Sequence, residues 1–178
     1  MNFKPSCSDT GENEAPNHRH HTVSEIFVDA DGCPVKEEVY RVAERYGLKV
    51  TLVANSSLRI PDAEWVKLVV VGDAFDAADD WIVDHVSQND IVISGDIPLA
   101  VRCLKKGARV LGPKGRVFTD ESIGEAVAIR ELSSQLRGAG TITGGPAPFG
   151  QRDRSRFLQR LDALVNEVLP HDNPMKKS

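Results

Sequence analysis

The chain has 178 residues, of which 40% are hydrophobic and 27% are charged, and its formal net charge is −4. This length and composition are typical of one soluble globular domain that can bury a core. No apolar run is long enough to span a bilayer, and the amino terminus lacks a basic segment followed by an apolar one. We therefore expect neither a membrane contact nor export. The chain has three cysteines and no CxxC pair, which argues against a disulfide scaffold and a structural zinc site. We therefore expect a cytoplasmic location, where thiols stay reduced.

Short apolar runs alternate along the chain with segments of helical periodicity. Because the runs are continuously apolar, the strands should be covered on both faces, as in a parallel sheet. The pattern predicts a three-layer α/β/α fold with a mostly parallel central sheet of about five strands. This fold is expected to form a single domain over residues 25–170. The polar tails 1–24 and 171–178 are expected to be disordered. The predicted strands are 26–28, 49–54, 67–71, 91–93 and 109–111, and the predicted helices are 34–46, 76–87, 98–106, 120–137 and 151–169.

Acidic residues follow two of the predicted strands. Asp29 and Asp31 end the first strand, and Asp96 ends the fourth. Ligands of open α/β sheets bind at the carboxyl ends of the strands, so these carboxylates should share one edge of the sheet. On the intervening helix, Asp79 continues the apolar stripe that should face the sheet, and Asp76 lies one turn earlier.

Carboxylates that are brought together repel one another and are costly to desolvate, and a divalent cation removes that cost. Oxygen ligands without sulfur or imidazole partners favour Mg²⁺ or Mn²⁺ over Zn²⁺. The sequence therefore indicates a magnesium or manganese site. Taken alone, Asp76 and Asp96 also fit helix caps and Asp31 fits a turn, and that interpretation stays open. Capping does not explain Asp79 on the inward stripe.

Charge is divided unevenly between the halves of the chain. Residues 1–96 hold 8 Lys and Arg against 18 Asp and Glu, whereas residues 97–178 hold 14 against 8. This division is typical of an acidic site beside a basic surface, although the same charges also serve solubility. Candidates for binding phosphate or a nucleic-acid backbone are Lys105, Lys114, Arg116, Arg152 and Arg154, and the backbone amides of Gly144 and Gly145. The alternative for Arg152 and Arg154 is a solvated helix face, and the alternative for Gly144 and Gly145 is a flexible turn.

Several segments together carry a family resemblance. They are VDADGCP (28–34), VAN (53–55), the helix with Asp76 and Asp79, ISGDIPLA (93–100), TGGP (143–146), and QRDR (151–154) with Phe157. The chain resembles the YaiI/YqxD family of bacterial proteins, which is grouped with PIN-domain-like proteins, over residues 25–168. The resemblance covers nearly the whole predicted domain.

PIN-like proteins are typically Mg²⁺- or Mn²⁺-dependent nucleases, and many act on RNA. The resemblance implies an RNA or other phosphate-bearing substrate. Ser94 stands where such domains often place a hydroxyl group, and it is a further candidate for binding phosphate. Many PIN nucleases use a glutamate on the helix, where this chain offers only aspartates. The sequence leaves a homodimer open. The residues that inherit catalytic roles are Asp29, Asp31, Asp76, Asp79 and Asp96, with Asp29, Asp79 and Asp96 as metal ligands.

Two other functions remain open at this point. Asp29 and Asp31 resemble the DxD motif of haloacid-dehalogenase-type phosphatases, and Ser94 matches their strand-end hydroxyl. The expected lysine and acid pair, and a cap domain, are not found in the sequence. The fold could also serve as a non-catalytic nucleic-acid-binding module.

Overall fold

The computed structural model describes residues 24–72, 74, 76–138 and 148–169. It confirms the predicted three-layer α/β/α fold within them. The predicted tails lie outside the described residues, apart from Ser24, and so do Gly144 and Gly145. The elements in chain order are β1 (Ile26–Asp29), α1 (Lys36–Tyr46), β2 (Val50–Ala54), β3 (Val66–Val70), α2 (Ala77–His85), β4 (Ile91–Ile93), α3 (Ile97–Lys105), β5 (Arg109–Leu111), β6 (Val117–Phe118), α4 (Asp120–Gly138) and α5 (Gln151–Val168).

The sheet has the strand order β3-β2-β1-β4-β5-β6. The first five strands in this order are mutually parallel, and β6 runs antiparallel to β5. The strand order therefore reverses between β1 and β4, which is where open α/β sheets form a ligand crevice. The expectation of about five strands missed β6, because two residues are too few to produce a strand pattern.

Residues of β1 alternate between the two faces of the sheet. Ile26 and Val28 pack with α1 and α5, including the fully buried Phe157. Phe27 packs on the other face with α2, α3 and α4, where Ile82 is fully buried. Helices thus cover both faces, which explains the continuously apolar strands. No helix in the described ranges combines the length and the apolar character needed to cross a membrane.

A buried carboxylate lies at the amino-terminal edge of the sheet, opposite to the edge that carries Asp29 and Asp96. Asp90 is only 7% exposed. Its Oδ1 accepts a hydrogen bond from the Glu25 amide at 2.9 Å, and its Oδ2 accepts one from the Ser87 amide at 2.8 Å. These bonds join the start of β1 to the turn before β4. Burial raises the pKa of Asp90, and the two backbone bonds oppose that rise.

Asp90→Ala is expected to lower the free energy of unfolding by about 2 kcal/mol, because two backbone N–H groups would lose their acceptor near the core. Asp84→Ala, at an exposed position of α2, serves as the control and should change it by less than about 0.5 kcal/mol. Urea unfolding followed by circular dichroism measures both variants. Equal stability of the two would show that the Asp90 bonds contribute nothing net.

Candidate functional site

A hydroxyl group links the acids that follow β1 and β4. Ser94, directly after β4, is 2% exposed. Its Oγ donates a hydrogen bond to Oδ2 of Asp29 at 2.9 Å and accepts one from the Asp96 amide at 2.9 Å. Asp29 is itself the last residue of β1 and pairs with Val53 of β2. The link therefore spans the crevice where the strand order reverses.

Asp96 also caps helix α3. Its Oδ1 accepts a hydrogen bond from the Leu99 amide at 3.0 Å, which is the bond of an N-cap residue. Its Oδ2 faces Arg130 of α4, with 3.3 Å between Oδ2 and Nη1. The capping interpretation of Asp96 is thus correct, and the cap holds this side chain in a fixed orientation beside the crevice.

Asp79 of α2 lies beside the same carboxylates. Partial burial raises its pKa to about 6, and the negative charges of Asp96, Asp29 and Asp76 contribute, in that order, while Arg102 opposes the rise. Burial also raises the pKa of Asp29, against the hydrogen bond from Ser94, and the charges of Asp31 and Asp96 add to the rise. Asp29, Asp79 and Asp96 are therefore close enough to repel one another, although 67 positions separate the first from the last.

The other two predicted acids are more exposed. Asp31 lies at the surface of the turn after β1, and its Oδ2 accepts a hydrogen bond from the Asn55 amide at 2.9 Å. This bond ties the turn to the loop that follows β2. Asp76 occupies the N-cap position of α2 in the left-handed conformation, with φ of 59°, and its side chain makes no cap hydrogen bond. Its carboxylate thus remains available to the crevice.

Two cations at this edge were not anticipated from the sequence. Arg130 contacts Asp96 from a helix 34 positions further along the chain. The Nζ of Lys36 donates a hydrogen bond to the Ala30 carbonyl at 3.2 Å, inside the turn between Asp29 and Asp31. Lys36 lies close to Asp29 and Asp31 because Pro34 directs the chain into α1. The position of Pro34 in the sequence could therefore have indicated Lys36. No local pattern marks Arg130, because its position depends on how α4 packs against α3.

The predicted phosphate-binding residues are distributed unevenly. Lys114 and Arg116 lie in the connection between β5 and β6, beside a groove that borders the acids. Arg152 is exposed in the first turn of α5. Lys105 is the last residue of the nine-residue helix α3. It lies about 13 Å along that helix from Asp96, so the structure does not bring Lys105 to the acids.

Arg154 is engaged in a structural contact. Its Nη1 lies 2.9 Å from Oε1 and 3.0 Å from Oε2 of Glu38, which is 6% exposed on α1. Its guanidinium also lies 5.1 Å from the centroid of the Phe149 ring. The pairing with Glu38 holds the start of α5 against α1, and the contact with Phe149 fixes the residues that precede α5. Any role in phosphate binding would compete with the pairing to Glu38.

The carboxylate oxygens at this edge of the sheet suit a hard cation, but few of them lie close enough together to bind one ion. Among the described residues, no three Asp, Glu, His or Cys side chains are arranged to hold a metal ion by themselves. Mg²⁺ usually keeps several waters and is held by one or two carboxylates together with substrate phosphates. Asp29 and Asp96, joined through Ser94, fit such an open site. They do not fit a closed structural metal site.

In metal-free buffer, Asp79→Asn is expected to stabilise the protein at neutral pH. The folded state raises the pKa of Asp79 from 3.8 to about 6, so ionisation costs stability as the pH rises through this range. Solvent screening of this partly exposed group limits the gain to about 1 kcal/mol. The gain should be complete above about pH 6 and absent below pH 3.8. Thermal unfolding across this range measures it, with the exposed Asp84→Asn as control. A gain independent of pH would contradict the electrostatic explanation.

The fold and site define the class: a three-layer α/β protein of PIN-like arrangement, with acids at the carboxyl ends of β1 and β4. The family model described as "Uncharacterized BCR, YaiI/YqxD family" matches residues 27–167. The chain therefore belongs to the YaiI/YqxD family, which confirms the resemblance indicated by its motifs.

Three bacterial relatives illustrate the similarity. A UPF0178 protein of Rhodospirillum centenum is 57% identical over 148 residues, which cover 81% of this chain and 96% of the relative. A UPF0178 protein of Rhodopseudomonas palustris is 52% identical over 80% of this chain and 87% of the relative. One of Nitrobacter winogradskyi is 49% identical over 83% of this chain and 94% of the relative. No solved structure matches this chain.

Proposed function

We propose that this protein is a divalent-metal-dependent nuclease that hydrolyses phosphodiester bonds in RNA. The observation that carries the proposal is the hydrogen-bonded link from Asp29 through Ser94 to Asp96 across the strand reversal. Asp79 lies close enough to interact with both carboxylates. Such a concentration of negative charge has a ready explanation as a cation site next to a phosphate-binding crevice.

Each acid has a proposed role. Asp29 and Asp96 would hold Mg²⁺ or Mn²⁺ directly, and Asp79 would complete the coordination through water. The bound ion would supply Lewis-acid stabilisation of the charge that develops on the phosphate during displacement. Asp31 and Asp76 would orient the attacking water from the rim of the crevice. Ser94 and Arg130 would position the first two carboxylates.

The basic residues near the crevice support a polyanionic substrate. Lys114 and Arg116, which line the groove beside the acids, would hold the strand backbone there, and the exposed Arg152 at the start of α5 would add a contact outside the groove. Lys36, beside the turn that carries Asp29 and Asp31, adds a further cation at this edge. These cations would hold the backbone phosphates that the metal ion does not contact. We also propose a cytoplasmic location, because the two described cysteines are unpaired, buried thiols.

An unbiased cleavage screen tests this proposal. Labelled single-stranded RNA, hairpin RNA and matched DNA are incubated with the protein and Mn²⁺, Mg²⁺ or EDTA. We expect RNA products with Mn²⁺ or Mg²⁺ and none with EDTA. Salt-dependent RNA binding without products would instead assign a non-catalytic module. Hydrolysis of phosphomonoesters, with an aspartyl-phosphate detected by mass spectrometry, would assign a phosphatase.

A further inference from the structure

A mostly apolar groove borders the acids. It has a volume of about 370 Å³ and lies between the turn after β1, the start of α3 and the connection between β5 and β6. Gly32, next to Asp31, and Gly95, next to Asp96, form its near wall. A strand whose phosphate lay at the acids would therefore place a neighbouring nucleotide at the groove.

The two glycines keep the near wall open. A Cβ atom at Gly32 would meet no atom within 4 Å, and one at Gly95 would meet Pro113 Cδ at 3.7 Å. Neither glycine has a positive φ, so larger residues are compatible with the backbone there. A side chain can therefore be added at either position without displacing packed atoms.

Flat side chains and cations form the rest of the groove. Phe149 contributes a partly exposed aromatic ring and Pro113 contributes an apolar ring, whereas Phe118, only 6% exposed, lies beneath Arg116. The guanidinium of Arg116 lies 5.3 Å from the centroid of the Phe118 ring, so it extends the flat surface and adds positive charge. A nucleobase stacks on aromatic rings and on guanidinium planes, and its phosphate needs cations nearby. A free phosphate or a metal ion would not use the apolar walls.

The far wall is rigid. The Gly112 amide donates to the Arg116 carbonyl at 2.8 Å, and the Gly115 amide donates to the Gly112 carbonyl at 2.8 Å. Gly115 has a φ of +78°, and a Cβ there would lie 2.7 Å from Arg156 Cγ of α5. The turn that carries Pro113 is therefore braced against α5 before any ligand arrives. A preformed groove loses little conformational entropy on binding.

We propose that this groove binds an unpaired nucleobase of single-stranded RNA, next to the phosphate held at the acids. The proposal rests on the proposed function for the position of that phosphate. Base binding itself can be measured without cleavage. Duplex RNA would bind less well, because its bases are stacked within the helix and cannot enter the groove.

Fluorescence anisotropy in EDTA would compare a short labelled oligoadenylate with an abasic RNA of the same length and charge. We expect the wild-type protein to bind the oligoadenylate about tenfold more tightly, since stacking of one base contributes that much. Phe149→Ala removes a stacking ring, and Gly32→Leu fills the groove; both should abolish the preference. Leu158→Ala is the matched control, because Leu158 is a partly buried residue on the same core cluster as Phe149 but does not line the groove.

Equal affinity of the wild-type protein for the two RNAs, or no binding of either, would overturn the groove proposal. A preference that survives both Phe149→Ala and Gly32→Leu would also overturn it. Cleavage with Mn²⁺ is measured on the same preparations. Base preference without cleavage would refute the nuclease and leave the groove, whereas cleavage with equal affinities would refute the groove and leave the nuclease.

Discussion

Asp29→Asn is expected to reduce Mn²⁺-dependent RNA cleavage by about 100-fold or more while the protein stays folded. Asparagine has nearly the same shape as aspartate, and its amide oxygen can still accept the hydrogen bond from Ser94 Oγ. It lacks the negative charge that a hard cation requires. Removing one of several mutually repelling carboxylates should not lower stability. Initial cleavage rates at saturating Mn²⁺ measure the effect, and circular dichroism checks the fold.

Two further variants make this result specific. Asp96→Asn should cause a comparable loss of cleavage, because it removes the other charge that would hold the cation. Asparagine caps helices as well as aspartate does, so α3 should stay intact. Asp84→Asn, on the exposed side of α2, changes the net charge by the same amount outside the crevice and should retain full activity. Full activity of both Asp29→Asn and Asp96→Asn would remove the strand-end acids from the mechanism.

Arg154→Ala is expected to lower the free energy of unfolding by about 2–3 kcal/mol, the largest stability effect that we expect. It would leave the Glu38 carboxylate, 6% exposed, without its guanidinium partner. The half-exposed position of Arg154 keeps the loss below that of a fully buried pair. Its contact with the Phe149 ring would be lost as well. Chemical denaturation of the purified variant measures the change.

Arg152→Ala is the matched control for this prediction. Arg152 lies in the same turn of α5 and is exposed, so its loss should change stability by less than about 0.5 kcal/mol. The double variant Glu38→Leu with Arg154→Leu should recover much of the stability, because it removes both charges together. If Arg154→Ala were as stable as Arg152→Ala, the ion pair between α1 and α5 would have no structural role.

The part of the site that lies on regular elements was accessible from the sequence. Continuous apolar runs located β1 and β4, and the topology rules then placed Asp29 and Asp96 at one edge of the sheet. The helical stripe through Ile82 and Val83 predicted that Asp79 faces the sheet. Ile82 and Val83 are buried, and Asp79 interacts with Asp96 and Asp29. These inferences depend on short-range periodicity and on a small number of allowed topologies.

The contacts between distant helices were not accessible in this way. Arg154 was predicted from its charge to bind phosphate, yet its partner Glu38 lies 116 positions away. Arg130 reaches Asp96 only because α4 packs on α3. A solvent-facing and a paired arginine on an amphipathic helix have the same sequence pattern. Tertiary packing decides between them.

Isothermal titration of Mn²⁺ into the wild-type protein and into Asp29→Asn tests most directly whether these acids form a metal site. We expect saturable binding to the wild-type protein and at least about tenfold weaker binding to Asp29→Asn, because a directly ligating charge is lost. Asp84→Asn should bind like the wild type. Equal affinity for the wild-type protein and Asp29→Asn, or no Mn²⁺ binding to the wild type, would contradict the metal site at the carboxyl ends of β1 and β4.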